Sequence, residues 1–381
     1  MEKTVSPDAA QTLRAAKRIV VKVGSAILCA DDGAVRAAWL ASLAEDITAL
    51  RGDGCEVVVV TSGAIALGRK RLGLERVLRL DEKQAASAAG QAALAQAWQR
   101  AFDPHKTHIA QLLLTLDDTE NRRRYLNARA TFRTLLDLKA LPMVNENDTV
   151  ATSEIRYGDN DRLAAHAAQI VESDVLIILS DVDGLYTADP RKEPDATHIP
   201  IVEVITPEIE QSAAGPNKAL GIGSGGMASK VAAAKIAGAN GCATIIAAGG
   251  LANPIAAIKN GAAATLLRAT GNPARARRQW IGGRIKPAGS ITIDAGAAAA
   301  LARGASLLPA GVVAVAGDFS RGDAVTIIAP GDKVLGQGLS AYFSDEIRKI
   351  AGRRSEELEQ ILGYRRRPAV VEKNDLVLRT E

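Results

Sequence analysis

From Lys17 to about Ala269, short aliphatic and β-branched runs alternate with longer alanine-rich segments, and this alternation constrains the fold more than any other feature. The runs are Arg18–Val23, Glu56–Thr61, Ile109–Leu114, Pro142–Asn145, Asp174–Ser180 and Ala243–Ala248. They read as nearly continuous apolar stretches, not as every-second-residue patterns. A strand with one wet face alternates, whereas one covered on both faces does not. Between them, helical spacing predicts helices over Val35–Gly52, Asp81–Ala101, Tyr125–Lys139, Asp161–Glu172, Met227–Ala239 and Pro254–Gly261. Strand after helix at this spacing predicts one layered α/β domain, a mostly parallel sheet sandwiched by helices.

The pattern changes near Arg268. The stretch Thr270–Lys286 is polar and basic, with Pro273 and Pro287 at its margins, and reads as a linker. Short β-like pieces follow at Ser290–Asp294, Gly311–Ala316 and Ala324–Ile328, with a helix near Ala295–Arg303. The expected domains are therefore 17–270 and a small, mostly β module at 286–366. The first 16 residues read as a polar leader, and the tail from Arg365 to Glu381 as a surface appendage. Of the 381 residues, 47% are hydrophobic and 24% charged, as in an ordinary soluble globular protein. Apolar runs such as Val57–Val60 fall far short of the ~20 residues of a membrane helix, and no signal-peptide stretch opens the chain. A cytoplasmic protein without membrane contact is expected. Cys29, Cys55 and Cys242 are odd in number and far apart, which argues against a disulfide framework or zinc site. The net charge of +4 does not announce a nucleic-acid binder.

Five motifs carry chemistry. Lys22 stands inside the first apolar run, one residue short of Gly24-Ser25. It is either a lysine snorkelling from a strand end or a cation at the carboxyl edge of the sheet, where open α/β sheets bind ligands. Thr61-Ser62-Gly63 again joins a strand to a helix through small residues, as an anion-binding turn or an ordinary helix cap. Asn145-Glu146-Asn147-Asp148 and Asp159-Asn160-Asp161 cluster acidic and amide groups at a strand end and a helix start. Such groups suit an amino group and carboxylate, or the organisation of nearby lysines; a solvated loop is the bland alternative. Ser180-Asp181 ends another strand in the manner of a nucleotide pocket wall. Gly221 to Lys230 contains G-x-G-x-x-G, but it follows no first strand and has no Walker spacing. It reads as a glycine-rich loop feeding a helix that offers Ser229, Lys230 and backbone donors to a phosphate. His105 and His108 read as surface residues.

Two lysines, two glycine-rich turns and an acidic-amide cluster at strand ends suggest phosphoryl transfer without a covalent intermediate. On these motifs the sequence resembles the glutamate 5-kinase branch of the amino-acid kinase family, in the form with a C-terminal PUA domain. The matching segments include Val20–Ser25, Val60–Gly68, Asn145–Thr152, Gly158–Asp161, Gly184–Pro190, Gly223–Lys230 and Phe319–Gly322. The resemblance implies the amino-acid kinase fold and ATP- and Mg²⁺-dependent phosphorylation of the L-glutamate γ-carboxylate, the first step of proline synthesis. It implies that Lys22 and Lys230 contact the moving phosphoryl group and that Asp161 holds them. Ser62, Asp148 and Asn160 would bind glutamate, with Asn145 and Asp159 nearby. Ser180, Asp181, Ser224, Gly225, Gly226, Met227, Ala228, Ser229 and Lys230 would bind ATP. It further implies inhibition by proline, a homo-oligomer (dimer or tetramer) and contact with glutamyl-phosphate reductase. The chain has Ser at 180, 224 and 229 where the family often has Thr, and each keeps the hydroxyl.

PUA domains are associated with RNA, which makes an RNA-binding protein with a residual kinase domain the alternative class. From Lys286 to Glu381 there are 13 Lys plus Arg and 12 Asp plus Glu, a net of +1, less basic than a duplex-binding surface. Acetylglutamate, aspartate or carbamate as acceptor is the nearer alternative, and the Asn145–Thr152 segment argues against it.

Overall fold

The computed structural model describes residues 7–74, 78–150, 159–190, 192–214, 226–271, 287–364 and 368–378. It divides into two compact units, Met1–Glu120 with Asn127–Pro273, and Asn121–Leu126 with Ala274–Glu381.

In the first unit the strands are β1 (Arg18–Val23), β2 (Glu56–Thr61), β3 (Ile109–Leu114), β4 (Leu141–Glu146), β5 (Val175–Ser180), a short hairpin of β6 (Leu185–Tyr186) and β7 (His198–Ile199), β8 (Ile201–Val202), β9 (Ala243–Ala248) and β10 (Ala264–Leu267). The helices are α1 (Pro7–Ala15), α2 (Ser25–Leu28), α3 (Ala37–Gly52), α4 (Ala64–Leu72), α5 (Leu80–Phe102), α6 (Leu116–Glu120), α7 (Arg122–Asp137, whose first five residues count with the second unit), α8 (Asp159–Val171), α9 (Pro207–Ala214), α10 (Met227–Ala239) and α11 (Pro254–Lys259). Eight strands form one sheet in the order β3-β4-β2-β1-β5-β9-β10-β8, parallel except where β10 runs against β9. Five of the six strands read from apolar runs lie inside the sheet, and β1, β2, β4 and β5 are buried almost throughout; the sixth, β3, is an edge strand that exposes Gln111 and Leu113, so its apolar run did not mean burial on both faces.

One face of the sheet carries Ile19, Val21, Val57, Val59, Ile177 and Leu179 into a single core with residues of α1, α3, α5 and α11. The other face is covered by α8 and α10, which pack on each other and on the sheet. Both helices bury alanines, Ala164, Ala165, Ala167 and Ala168 on α8 and Ala233, Ala234 and Ala237 on α10. Side chains this small bring two helix backbones close, and with them whatever their amino termini carry.

Three expectations need correction. The leader is not featureless: Pro7–Ala15 is a helix whose Ala9 and Leu13, four apart on one face, are buried. The sheet has two strands beyond the six read from sequence, β8 and β10; at two and four residues they are too short to announce themselves. The tail is no appendage. Residues Leu376–Leu378 pair with the strand Lys333–Leu339, and Val370 and Val371 are fully buried, so this unit runs past residue 366. Its sheet joins Val312–Gly317, Gly289–Ile293, Ala324–Ala329, Lys333–Leu339 and Leu376–Leu378 in that order, over a separate core with Ile291, Val325, Ile327 and Tyr342. The helix Ala295–Ala302 stands where expected, capped by the Asp294 carboxylate accepting from the Ala297 amide at 2.6 Å. The linker reading of Thr270–Lys286 falls mostly outside the described residues.

Candidate active site

Three of the candidate residues meet around one carboxylate. Asp161, third residue of α8, is 1% exposed. Its Oδ1 lies 2.6 Å from Lys22 Nζ, and its Oδ2 lies 3.5 Å from Lys230 Nζ. Ser229 Oγ donates to the same Oδ2 at 2.6 Å. Lys22 comes from β1, the fourth strand of the sheet, where it pairs in register with Val60 and Ile178. Ser229 and Lys230 come from the first turn of α10, whose amino-terminal cap is Gly226. Both lysines are buried, which is costly for ammonium groups without a countercharge. Burial, and then the neighbouring Lys230, push the Lys22 pKa below its ordinary 10.5, while Asp161 opposes the shift. Burial would raise the Asp161 carboxyl, but the two ammonium groups outweigh it and hold the group below the ordinary carboxylate value.

The strand order sets the rest. β4, β2, β1 and β5 are parallel neighbours, so their carboxyl ends form one edge. Along it stand Asn145 on β4, Ser62 after β2, Lys22 and Gly24 on and after β1, and Ser180 and Asp181 at β5. Strands are about 4.8 Å apart, so the edge from β4 to β5 spans roughly 14 Å, with Lys22 inside it. A Cβ on Gly24 would stand 3.5 Å from Lys22 Nζ, which leaves that residue close to the clamp. Asp148 sits on the single turn Asp148–Val150 after β4 and is buried. Asn160, beside Asp161 on α8, has a buried Oδ1 without a hydrogen-bond partner, one of several such atoms among the described residues and the one beside the clamp. Ser180 Oγ donates to Asp181 Oδ1 at 3.0 Å. Asp159 opens α8, and Met227 and Ala228 open α10. Ser224, Gly225, Tyr157 and Gly158 lie outside the described residues. Among the described residues, no group of three or more His, Cys, Asp and Glu is set to hold a metal ion, and no helix is long and apolar enough to cross a membrane.

The sequence profile described as the amino acid kinase family matches residues 17–248, and that of the PUA domain matches residues 289–362. The chain belongs to the amino acid kinase family. Curated relatives named glutamate 5-kinase run nearly its full length. That of Paramagnetospirillum magneticum is 54% identical, covering 96% of this chain and 99% of its own. That of Caulobacter vibrioides is 56% identical, covering 93% and 95%. That of Brucella anthropi is 53% identical, covering 95% and 96%. The expected fold, an amino acid kinase sheet followed by a PUA domain, is the one observed, and the chain is an enzyme of the kinase class.

In this kinase, α5 supports the edge in a way the sequence reading missed. Ser87 Oγ donates to Asp148 Oδ2 at 2.6 Å. Trp98 Nε1 donates to Thr61 Oγ1 at 3.3 Å, and that hydroxyl donates to the Ser62 carbonyl at 3.1 Å. Gln91 donates to the Glu146 carbonyl at 3.4 Å. Ser87, Leu94 and Trp98 share one helical face, so a serine in phase with an otherwise apolar stripe was the available signal. The helix is seated on α4 by two glycines: a Cβ on Gly68 would lie 1.6 Å from the Ala86 carbonyl oxygen, and one on Gly90 would lie 1.8 Å from that of Ala64. The turn before α4 needs Gly63 at φ 114°, a conformation only glycine adopts without strain.

Proposed function

We propose that the chain transfers the γ-phosphoryl group of ATP to the γ-carboxylate of L-glutamate, giving L-glutamyl 5-phosphate and ADP, the first step of proline biosynthesis. The full-length relatives named glutamate 5-kinase support the acceptor. The observation that carries the chemistry is the pair of buried ammonium groups sharing one carboxylate at the carboxyl edge of the sheet. A γ-carboxylate is ionised at neutral pH, so its oxygen attacks phosphorus without a general base, and the bond from phosphorus to the ADP oxygen breaks. The obstacle is repulsion between two anions. Lys22 and Lys230 would stand against the charge on the transferring group, and Asp161 with Ser229 would fix where they stand. Mg²⁺ would arrive on the nucleotide phosphates and supply further charge neutralisation.

Glutamate would lie on the β4–β2 side, against Ser62, Asp148 and Asn160, with Asn145 and Asp159 in reach. An ammonium donor answers the unpartnered Asn160 oxygen. ATP would lie on the β5–α10 side, against Ser180, Asp181 and residues 224–230. Residues 17–270 would be the catalytic domain and the PUA module its appended partner. Proline shares the α-carboxylate and α-nitrogen of glutamate, so we expect it to compete at Asp148 and Asn160. Asp148→Ala should weaken glutamate binding and proline inhibition together; proline inhibition at its original strength in that variant would mean separate sites.

The deciding assay follows ADP release with glutamate, acetylglutamate and aspartate side by side, with hydroxylamine to trap the acyl phosphate. Hydroxamate from glutamate alone is the expected result; preference for another acceptor overturns the reading. The lowered Lys22 pKa adds a pH prediction. Its charge should be lost below the pH at which an ordinary lysine deprotonates, so kcat/KM should fall on the alkaline side earlier than pH 10.5. Lys22→Arg keeps its charge throughout and should remove that limb, whatever its absolute rate. An identical alkaline limb in the arginine variant would assign the titration to another group.

A further inference from the structure

We propose that Ser87 is a positioning residue that holds the Asp148 carboxylate for the amino-acid acceptor, an inference that rests on the reading above in which Asp148 binds glutamate. Asp148 belongs to a three-residue turn. A turn this short has little rigidity of its own, and its carboxylate needs an external anchor to keep one orientation. A hydroxyl on α5, a 23-residue helix, supplies such an anchor. The Ser87–Asp148 hydrogen bond is short at 2.6 Å, and its donor is fully buried at 0% exposure. A hydroxyl bonded to a carboxylate is charge-assisted and strengthens where water is excluded.

Packing alone does not call for a serine here. Ala85, Ala86, Ala88 and Ala89 surround it on α5, and alanine would fill the position with better helix propensity. A buried hydroxyl without an acceptor would cost stability, so the serine is explained by the partner it holds. The helix that carries Ser87 also reaches Ser62 through Trp98 and Thr61. One rigid element therefore sets the spacing between two walls of the acceptor side, while the lysine clamp depends on α8 and α10. Ser87 should accordingly act on the acceptor and not on the nucleotide or on the phosphoryl step.

The test compares the full-length wild type, Ser87→Ala, Asp148→Asn and the double variant, with KM for glutamate, KM for ATP, kcat and the melting curve read for each. Ser87→Ala is expected to raise KM for glutamate about tenfold, the scale of one charge-assisted hydrogen bond, with KM for ATP and kcat within about twofold. In the Asp148→Asn background the same change should add little, because its partner has already lost its charge. Should Ser87→Ala melt far below the wild type, Ser87→Cys keeps the volume with a weak donor and is expected to show the same rise. A folded Ser87 variant with unchanged KM for glutamate overturns the proposal. So does a tenfold rise that persists in full on Asp148→Asn, which would mean that Ser87 acts through another group. If Asp148→Asn alone leaves KM for glutamate unchanged, the reading of Asp148 itself falls, and the double variant tells the two failures apart.

Discussion

Asp161→Ala is expected to lower kcat by about 10³-fold and to cost about 3–5 kcal/mol of folding stability. The carboxylate is 1% exposed and lies between two buried ammonium groups. Without it, two like charges face each other in a medium that screens them poorly. Lys22→Ala removes only one charge and should cost about 10²–10³ in kcat, with a milder effect on folding. The pH dependence has a definite sign. The Asp161 carboxyl is held below its ordinary value in the folded state, so its stabilisation is complete above the unfolded value of about 4 and is lost as pH falls through the lower, folded one. The melting temperatures of wild type and Asp161→Ala should therefore differ most near neutrality and converge in acid. Turnover within tenfold of wild type in Asp161→Ala would show that the lysines do not depend on it.

Gly90→Ala is expected to cost about 3 kcal/mol, or a fall of roughly 6–12 °C in Tm. The added carbon would meet the Ala64 carbonyl oxygen at 1.8 Å and the Gly68 amide nitrogen at 2.8 Å. Both are backbone atoms, so no rotamer change relieves the contact, and α4 and α5 must move apart. The effect should reach function, because α4 begins just after Ser62 and α5 carries Ser87 and Trp98. KM for glutamate should rise more than KM for ATP. By contrast, Gly73→Ala, at a site with open space around the missing Cβ but φ 64°, should cost only about 1 kcal/mol in backbone strain and leave both KM values alone. An unchanged melt and unchanged KM in Gly90→Ala would mean that the helices are free to separate and that the α4–α5 contact does not shape the acceptor side.

Sequence alone determined the kinds of element and singled out most of the groups from which the site is proposed. Continuous apolar runs named the six longest strands of the first sheet; for β1, β2, β4 and β5 the reason is burial on both faces, which removes the alternation of a half-wet strand, whereas the edge strand β3 alternates in burial despite its apolar run. Lys22, Asp161, Ser229 and Lys230 were legible because charged and hydroxyl groups at strand ends and helix starts stand out against an aliphatic background. Only the tertiary structure decided which of them meet. Lys22, Asp161 and Lys230 are distant in the chain, and nothing local in their segments specifies that the first helix turns of α8 and α10 close over β1. The strand order β4-β2-β1-β5, which sets Lys22 between the edge positions proposed for the acceptor and for the nucleotide, comes from long-range packing. So do the contributions of Ser87 and Trp98, whose hydroxyl and indole look like ordinary helix residues until Asp148 and Thr61 lie against them. The short strands β8, β10 and Leu376–Leu378 and the helix Pro7–Ala15 were missed for the same physical reason. Segments this short draw their stability from neighbours already in place, and carry too few residues to display a period of their own.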